Sequence, residues 1–303
     1  MIKLNNIVLL SCLIFAVFTP SWAQQVGKSK GELNLSLFEK DNLVAWCIVP
    51  FDSKKRKPEE RASMLDQLGL KRLAYDWRKE HVATFDEEIQ TLKQHGIKLQ
   101  AFWLYAGGDP EGEGDLKLIT EALKRNRAKT EIWVWVNGIE GLDSLNQDEK
   151  VKRVAKSVRY IAEEARKVGC KVGLYHYDGW FSEPENQLAV INYLKMPNIG
   201  IVYNFHHAQK HLERFPDFFP KILPYLMAIN VVGLKQEDDL KLVPVGWGNR
   251  ELELLKLIAS SPYRGPIGII NDGLEQDPEV ALKKNLEGLE RIKTQLKKST
   301  HRP

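Results

Sequence analysis

The stretch DEKVKRVAKSVRYIAEEARKVGCKVGLYHYD, Asp148 to Asp178, holds one full repeat of the fold. Val151, Val154, Val158 and Ile161 recur three or four residues apart, which places them on one face of a helix. Gly169 follows as a stop, because glycine enters the left-handed C-terminal cap without strain. KVGLYHY, Lys171–Tyr177, is then an apolar and aromatic run of strand length. It ends on polar Asp178, where a strand hands over to a loop.

The same unit recurs on both sides. Strand-like runs read Leu43–Val49, Leu70–Tyr75, Ile97–Leu104 and Glu131–Val136 before it, and Ile199–Asn204, Ala228–Leu234 and Pro266–Asn271 after it. Helical periodicity fills Pro58–Leu68, Phe85–His95, Leu252–Ala259 and Glu279–Lys297. Pro58 suits a first turn, and Gly69 and Gly96 suit stops. Alternating strands and helices predict an α/β fold, a (β/α)8 TIM barrel in one domain over residues 41–298. A doubly wound open sheet is the alternative. No G-x-G-x-x-G or Walker sequence follows any strand, which argues against a nucleotide-binding version of it.

The ends of the chain have their own logic. Lys3 is followed by an apolar run, Ile7–Phe18, and by TPSWA with Ser21 and Ala23 at the small-residue positions. This predicts a signal peptide over 1–23, cut after Ala23, and a periplasmic or secreted protein. The apolar run is shorter than the ~20 residues that span a bilayer, and no later segment approaches that length, so no membrane partner is expected after cleavage. Residues 24–40 read as a loose arm and 299–303 as a disordered tail. The net charge of +4, from 44 basic and 40 acidic residues, is mild and dispersed, so no nucleic-acid partner is expected. KKRK, Lys54–Lys57, reads as a solvated loop after the first strand. Cys47 and Cys170 fall on different parts of the barrel and are expected to be buried free thiols.

In such barrels chemistry sits at the C-terminal strand ends. Those ends carry Asp76, Trp77, Arg78 and His81 after strand two, and Trp103 and Tyr105 in strand three. Strand four brings Trp133, Trp135 and Asn137; strand five brings Tyr175, His176, Tyr177, Asp178 and Trp180. Strand six ends in Asn204, His206 and His207, strand seven in Asn230 and Lys235, and strand eight in Asn271 and Asp272, with Glu275 beyond. Aromatic faces stack on sugar C–H faces, and amides offer both a donor and an acceptor to hydroxyls. Trp133 and Trp135 read equally well as packing inside the barrel. A small-molecule sugar or sugar derivative is the expected partner, bound by Asp76, Trp77, Arg78, His81, Trp103, Trp135, Asn137, Tyr175, Asn204, Asn230 and Asn271. His176 and His207 are candidate proton carriers and Lys235 a candidate charge for a developing enolate. Of adjacent His206 and His207, which should point in different directions, His206 is the expected structural member. A metal pair of His207 with His211 needs a helical loop between them.

The passages YDWRKEHVATFDEEIQTLKQHGIKLQAFWL, GLYHYDGWFSEPENQ and NIGIVYNFHHAQ resemble the sugar phosphate isomerase/epimerase group, the xylose isomerase-like TIM barrels, over about Leu43–Leu296. The likeness is strongest to a secreted branch of that group. The group spans isomerases, epimerases, dehydratases, lyases and an endonuclease branch. Its members typically hold one divalent metal with Glu, Asp, His and Glu from strands five to eight. Those positions fall here on Tyr175, Asn204, Asn230 and Asn271; His207 alone matches, three residues past the strand-six acid. The resemblance therefore implies the fold but not the metal, and no cofactor is expected. Three functions stay open. One is a sugar isomerase/epimerase or lyase that moves a proton beside a carbonyl without that metal. Another is a metal-dependent relative with a displaced site at His176, Asp178 and His207, with Asp272 or Glu275. The third is a non-catalytic barrel that binds glycans or a partner.

Overall fold

The structure, a computed structural model, describes residues 33–237, 239–270 and 276–300. Eight parallel strands among them close a barrel: β1 (Leu43–Trp46), β2 (Arg72–Tyr75), β3 (Lys98–Ala106), β4 (Glu131–Val136), β5 (Lys171–Tyr175), β6 (Ile199–Asn204), β7 (Leu226–Val231) and β10 (Ile267–Ile270). Closure is made by β1 on β10, with Leu43 paired to Ile267 and Trp46 to Ile270. Helices α1 (Pro58–Leu68), α2 (Phe85–Gln94), α3 (Asp115–Arg125), α4 (Gln147–Lys167), α5 (Pro184–Leu194), α6 (Phe215–Ile222), α7 (Glu251–Ala259) and α8 (Pro278–Thr300) follow the strands. This is the expected (β/α)8 barrel.

Local sequence accounts for the element ends. Asn146 caps α4: its side-chain oxygen accepts from the Glu149 N–H at 3.1 Å, and Glu149 reaches back to the Asn146 N–H. Gly169 has φ 76, and the Cys170 N–H returns to the Ala165 carbonyl at 2.9 Å. The stripe Val151, Val154, Val158 and Ile161 is buried against the barrel.

Two hydrophobic layers result. Side chains of alternate strand residues fill the space between strands and helices, while the others fill the barrel interior. The interior cluster is Val44, Trp46, Ala74, Ala101, Trp133, Tyr175, Val202, Ala228 and Ile270.

Several expectations need correcting. The arm does not stay loose to residue 40: Leu35–Phe38 form a 3-10 turn with Leu37 and Phe38 buried, and the Asn34 N–H bonds to the Ala259 carbonyl. Ser299 and Thr300 continue α8. The seventh strand stops at Val231 rather than Leu234. The chain then forms an antiparallel hairpin, β8 (Gly233–Gln236) with β9 (Leu240–Val243). The leader 1–23 and Asn271, Asp272 and Glu275 lie outside the described residues. Among the described residues, no helix is long and apolar enough to cross a membrane.

Candidate active site at the barrel mouth

Strand register builds an aromatic floor under the C-terminal opening. Trp103 pairs with Trp133, and Tyr105 with Trp135, across β3 and β4; Trp133 pairs with Gly173 on β5. Gly173 leaves room that a side chain would take, since a Cβ there would lie 3.0 Å from the Trp133 ring. Trp133 is fully buried and donates its indole N–H to Glu131 at 2.7 Å. Trp46, Trp103, Trp133 and Tyr175 meet with centroids 4.6–5.9 Å apart, mostly tilted or edge-on, which their ring quadrupoles favour.

On this floor stand the polar groups. Asn204, at the end of β6, donates its amide N–H to the Tyr175 oxygen and accepts from the His206 N–H at 3.0 Å. Asn230, at 0 % exposure, has no partner for either amide atom among the described residues; Gly268 faces it, where a Cβ would lie 1.9 Å from its oxygen. His207 lies 4.0 Å from the Tyr177 ring and 6.1 Å from Tyr175. Burial, reinforced by His206, pushes its imidazole down to about 3, so it is neutral at any ordinary pH. Trp135 sits on the rim between Tyr105 and Tyr177, with centroids 5.3 and 4.5 Å away. Asn137 is half-buried just past β4.

Asp76 is the buried carboxylate of this opening. It follows β2, is 2 % exposed, and accepts the Val49 N–H on Oδ1 at 3.3 Å; Oδ2 has no partner among the described residues. Burial lifts its pKa to about 6, against the pull of Arg78. Arg78 is held by the Asp76 and Trp77 carbonyls, each 2.8 Å from Nη1.

Cys47 is a group that sequence reasoning misplaced. It is half-buried, not buried, and packs against the interior cluster just past β1. Its φ of 58 is left-handed, a conformation non-glycine residues seldom adopt. Burial and then Asp76 raise its thiol well above the ordinary range, so it is protonated. No local signal announces that turn. Cys170 is a buried free thiol, as expected.

Other predicted residues fall elsewhere. His176 faces the outer layer: it stacks on Tyr203 at 4.6 Å, and its Nε2 accepts the Asn204 backbone N–H at 2.8 Å. Burial pushes it down to about 3. With its Nε2 lone pair engaged and its ring behind the wall, it is a structural histidine. Trp77 also points outward, against Phe85 at 4.9 Å, and donates to the Trp103 carbonyl at 2.7 Å. Lys235 lies on the hairpin, exposed and paired with Glu237 at 2.7 Å. His81 belongs to the rim, where its Nδ1 accepts the Arg78 N–H at 2.9 Å. His211 is buried beside His176 and bonded to Glu183, so it does not join His207 as a ligand pair.

Three of the positions expected to hold the wider group's metal are among the described residues, and they offer a poor donor set. Tyr175, Asn204 and Asn230 are neutral, and the Asn204 amide N–H is already directed at the Tyr175 oxygen. A divalent cation prefers anionic oxygen or imidazole. Among the described residues, no three His, Cys, Asp or Glu side chains are placed to hold one.

Residues 66–292 match the family described as xylose isomerase-like TIM barrel, and the chain belongs to that family. Solved structures share the fold at low identity. The 3-keto-D-glucoside 4-epimerase YcjR from E. coli is 16% identical, with TM-score 0.64, over 84% of this chain and 100% of that one. The probable 3-DHS dehydratase AsbF from Bacillus anthracis is 13% identical, with TM-score 0.64, over 82% and 98%. The IOLI protein with a bound zinc atom is 13% identical, with TM-score 0.66, over 84% and 98%. No curated protein matches the chain.

Proposed function

We propose that this barrel is an exported enzyme that moves a proton at the carbon beside a carbonyl of a sugar or keto-sugar, with Asp76 as the base. The observation that carries the reading is the buried, half-partnered Asp76 carboxylate with its pKa near 6. A base tuned toward neutrality is ionised at working pH yet accepts a proton readily. His207, at about 3, is too weak a base for that step and acts as a neutral hydrogen-bonding group.

The carboxylate takes the C–H proton, and the electron pair moves onto the carbonyl oxygen as an enolate. Tyr175 is suited to that oxygen. Burial keeps its phenol protonated, and because its own oxygen accepts from Asn204, its O–H remains to donate. Arg78 adds fixed positive charge nearby. Return of the proton to another carbon or face, or loss of a β substituent, would give isomer, epimer or alkene. Two structural neighbours, a 3-keto-D-glucoside 4-epimerase and a probable 3-DHS dehydratase, support a reaction of this class. The donor set supports a mechanism without the usual divalent metal. The leader-like N-terminus supports export.

The test is exchange of a substrate C–H for deuterium in D2O across a panel of sugars and 3-keto sugars, read by NMR. Asp76→Asn should lower exchange by at least ~100-fold while binding persists. Binding without exchange by the wild type would instead establish a non-catalytic glycan-binding barrel.

A further inference from the structure

Beside the mouth lies a second cavity, about 790 Å³, between the loop after β1 and the 3-10 turn after β2. Its walls bring Lys55, Arg56, Lys57 and Arg61 against the acids Asp52 and Glu80. Arg56 is buried on Asp52 and Asp277, at 2.8 and 2.7 Å, and Arg61 on Glu88. Lys55 and Lys57 are exposed and have no ion pair among the described residues. Because Asp52 is spent on Arg56, two open lysines face one open acid, Glu80.

Two further donors belong to the same walls. His81 accepts a backbone N–H on Nδ1, so its neutral ring carries its proton on Nε2, and no acceptor takes that N–H among the described residues. Arg61, 2 % exposed, keeps a buried Nε–H without a partner among the described residues. An unpaired buried donor is unfavourable, and a bound acceptor would relieve it. The loop is held rigid: Asp52 accepts the Lys54 and Arg56 N–H groups at 2.9 and 3.1 Å, and Lys55 is held at φ 48. Two residues of the cavity wall touch the reaction centre. Val49 in its wall is the residue that bonds Asp76, and Arg78 lies over Phe51, also in its wall, at 5.4 Å.

We infer that this cavity is an oxyanion subsite, and that the sugar handled at the mouth carries a carboxylate or phosphate seated among Lys55, Lys57 and His81. The substrate class rests on the proton-transfer reading above; the anion site does not. KKRK thus divides its work: Lys54 and Arg56 fasten the loop to Asp277, and Lys55 and Lys57 face the ligand.

The test is calorimetric titration of the purified full chain with glucuronate, glucose 6-phosphate and glucose, at low and at physiological salt. At least one anion should bind more tightly than glucose, and less so as salt rises. The tighter of the two identifies the carboxylate or phosphate source. Lys55→Asn with Lys57→Gln should weaken the anion about 10-fold and leave glucose unchanged. His81→Asn keeps an acceptor for the Arg78 N–H and should weaken the anion also. Anions that bind no better than glucose would overturn the assignment. So would equal losses in a control pair, Lys117→Gln with Lys124→Gln, on α3. If the lysine variant loses anion binding but no sugar exchanges deuterium, the subsite stands and the proton-transfer reading falls.

Discussion

Asp76 shows how one residue couples stability to chemistry. Its folded pKa, about 6, lies above the ordinary aspartate value because burial disfavours the charge. The folded state therefore binds the proton more tightly than the unfolded chain. Its contribution to stability is fully present below about pH 4 and lost as pH rises through about 6, on the order of 2–3 kcal/mol. Asp76→Asn should match wild type in urea midpoint at pH 4 and exceed it at pH 7.5. A difference that does not grow between those pH values would refute the burial argument. In the wild type, kcat/KM should rise through pH ~6 to a plateau, because the base must be ionised.

Residue-level signals in the sequence were uneven. The strand-end positions of Asp76, Tyr175 and Asn204 were legible because each closes or follows an apolar run. His176 was read as a proton carrier and is instead turned away: Tyr175 faces inward, and neighbours in a strand alternate. Cys47 was not, because its position depends on a left-handed turn that no residue type announces.

At the scale of elements, close packing sets the constraints. Gly173→Ala would place a Cβ 2.6 Å from Val202 and 3.0 Å from Trp133, both fixed inside the barrel. Overpacking there should cost about 1–3 kcal/mol by urea denaturation. Helices α1 and α2 are tied by Arg61 and Glu88, both almost fully buried, with Arg61 also bonding the Arg56 carbonyl at 2.7 Å. Arg61→Ala leaves Glu88 buried without its cation and should cost about 3–5 kcal/mol; a loss below 1 kcal/mol would show that Glu88 is neutral there. The elements that sequence reading passed over have physical reasons. Pro220 inside α6 reads as a breaker, although the helix forms around it with Phe215, Phe218, Phe219 and Ile222 buried. The β8–β9 hairpin follows β7 with only Val232 between, so it reads as more of the same strand.

For the whole molecule, the barrel is closed by hydrogen bonding between its first and last strands and filled by its own aromatic interior. With no charged donors at the Tyr175, Asn204 and Asn230 positions, dialysis against EDTA should leave the Tm and any deuterium exchange unchanged. A Tm drop of several degrees, restored by one equivalent of a divalent ion, would overturn that. The sequence by itself determined the barrel, because helix stripes, glycine stops and short apolar runs are local patterns that repeat. It also placed a phenol and two amides, Tyr175, Asn204 and Asn230, at or near the ends of strands five to seven. Only the tertiary structure decided which of those residues meet. Whether a histidine faces the mouth or the helices, and whether a carboxylate is buried enough to hold its proton near pH 6, depend on strand register and on neighbours far away in the chain.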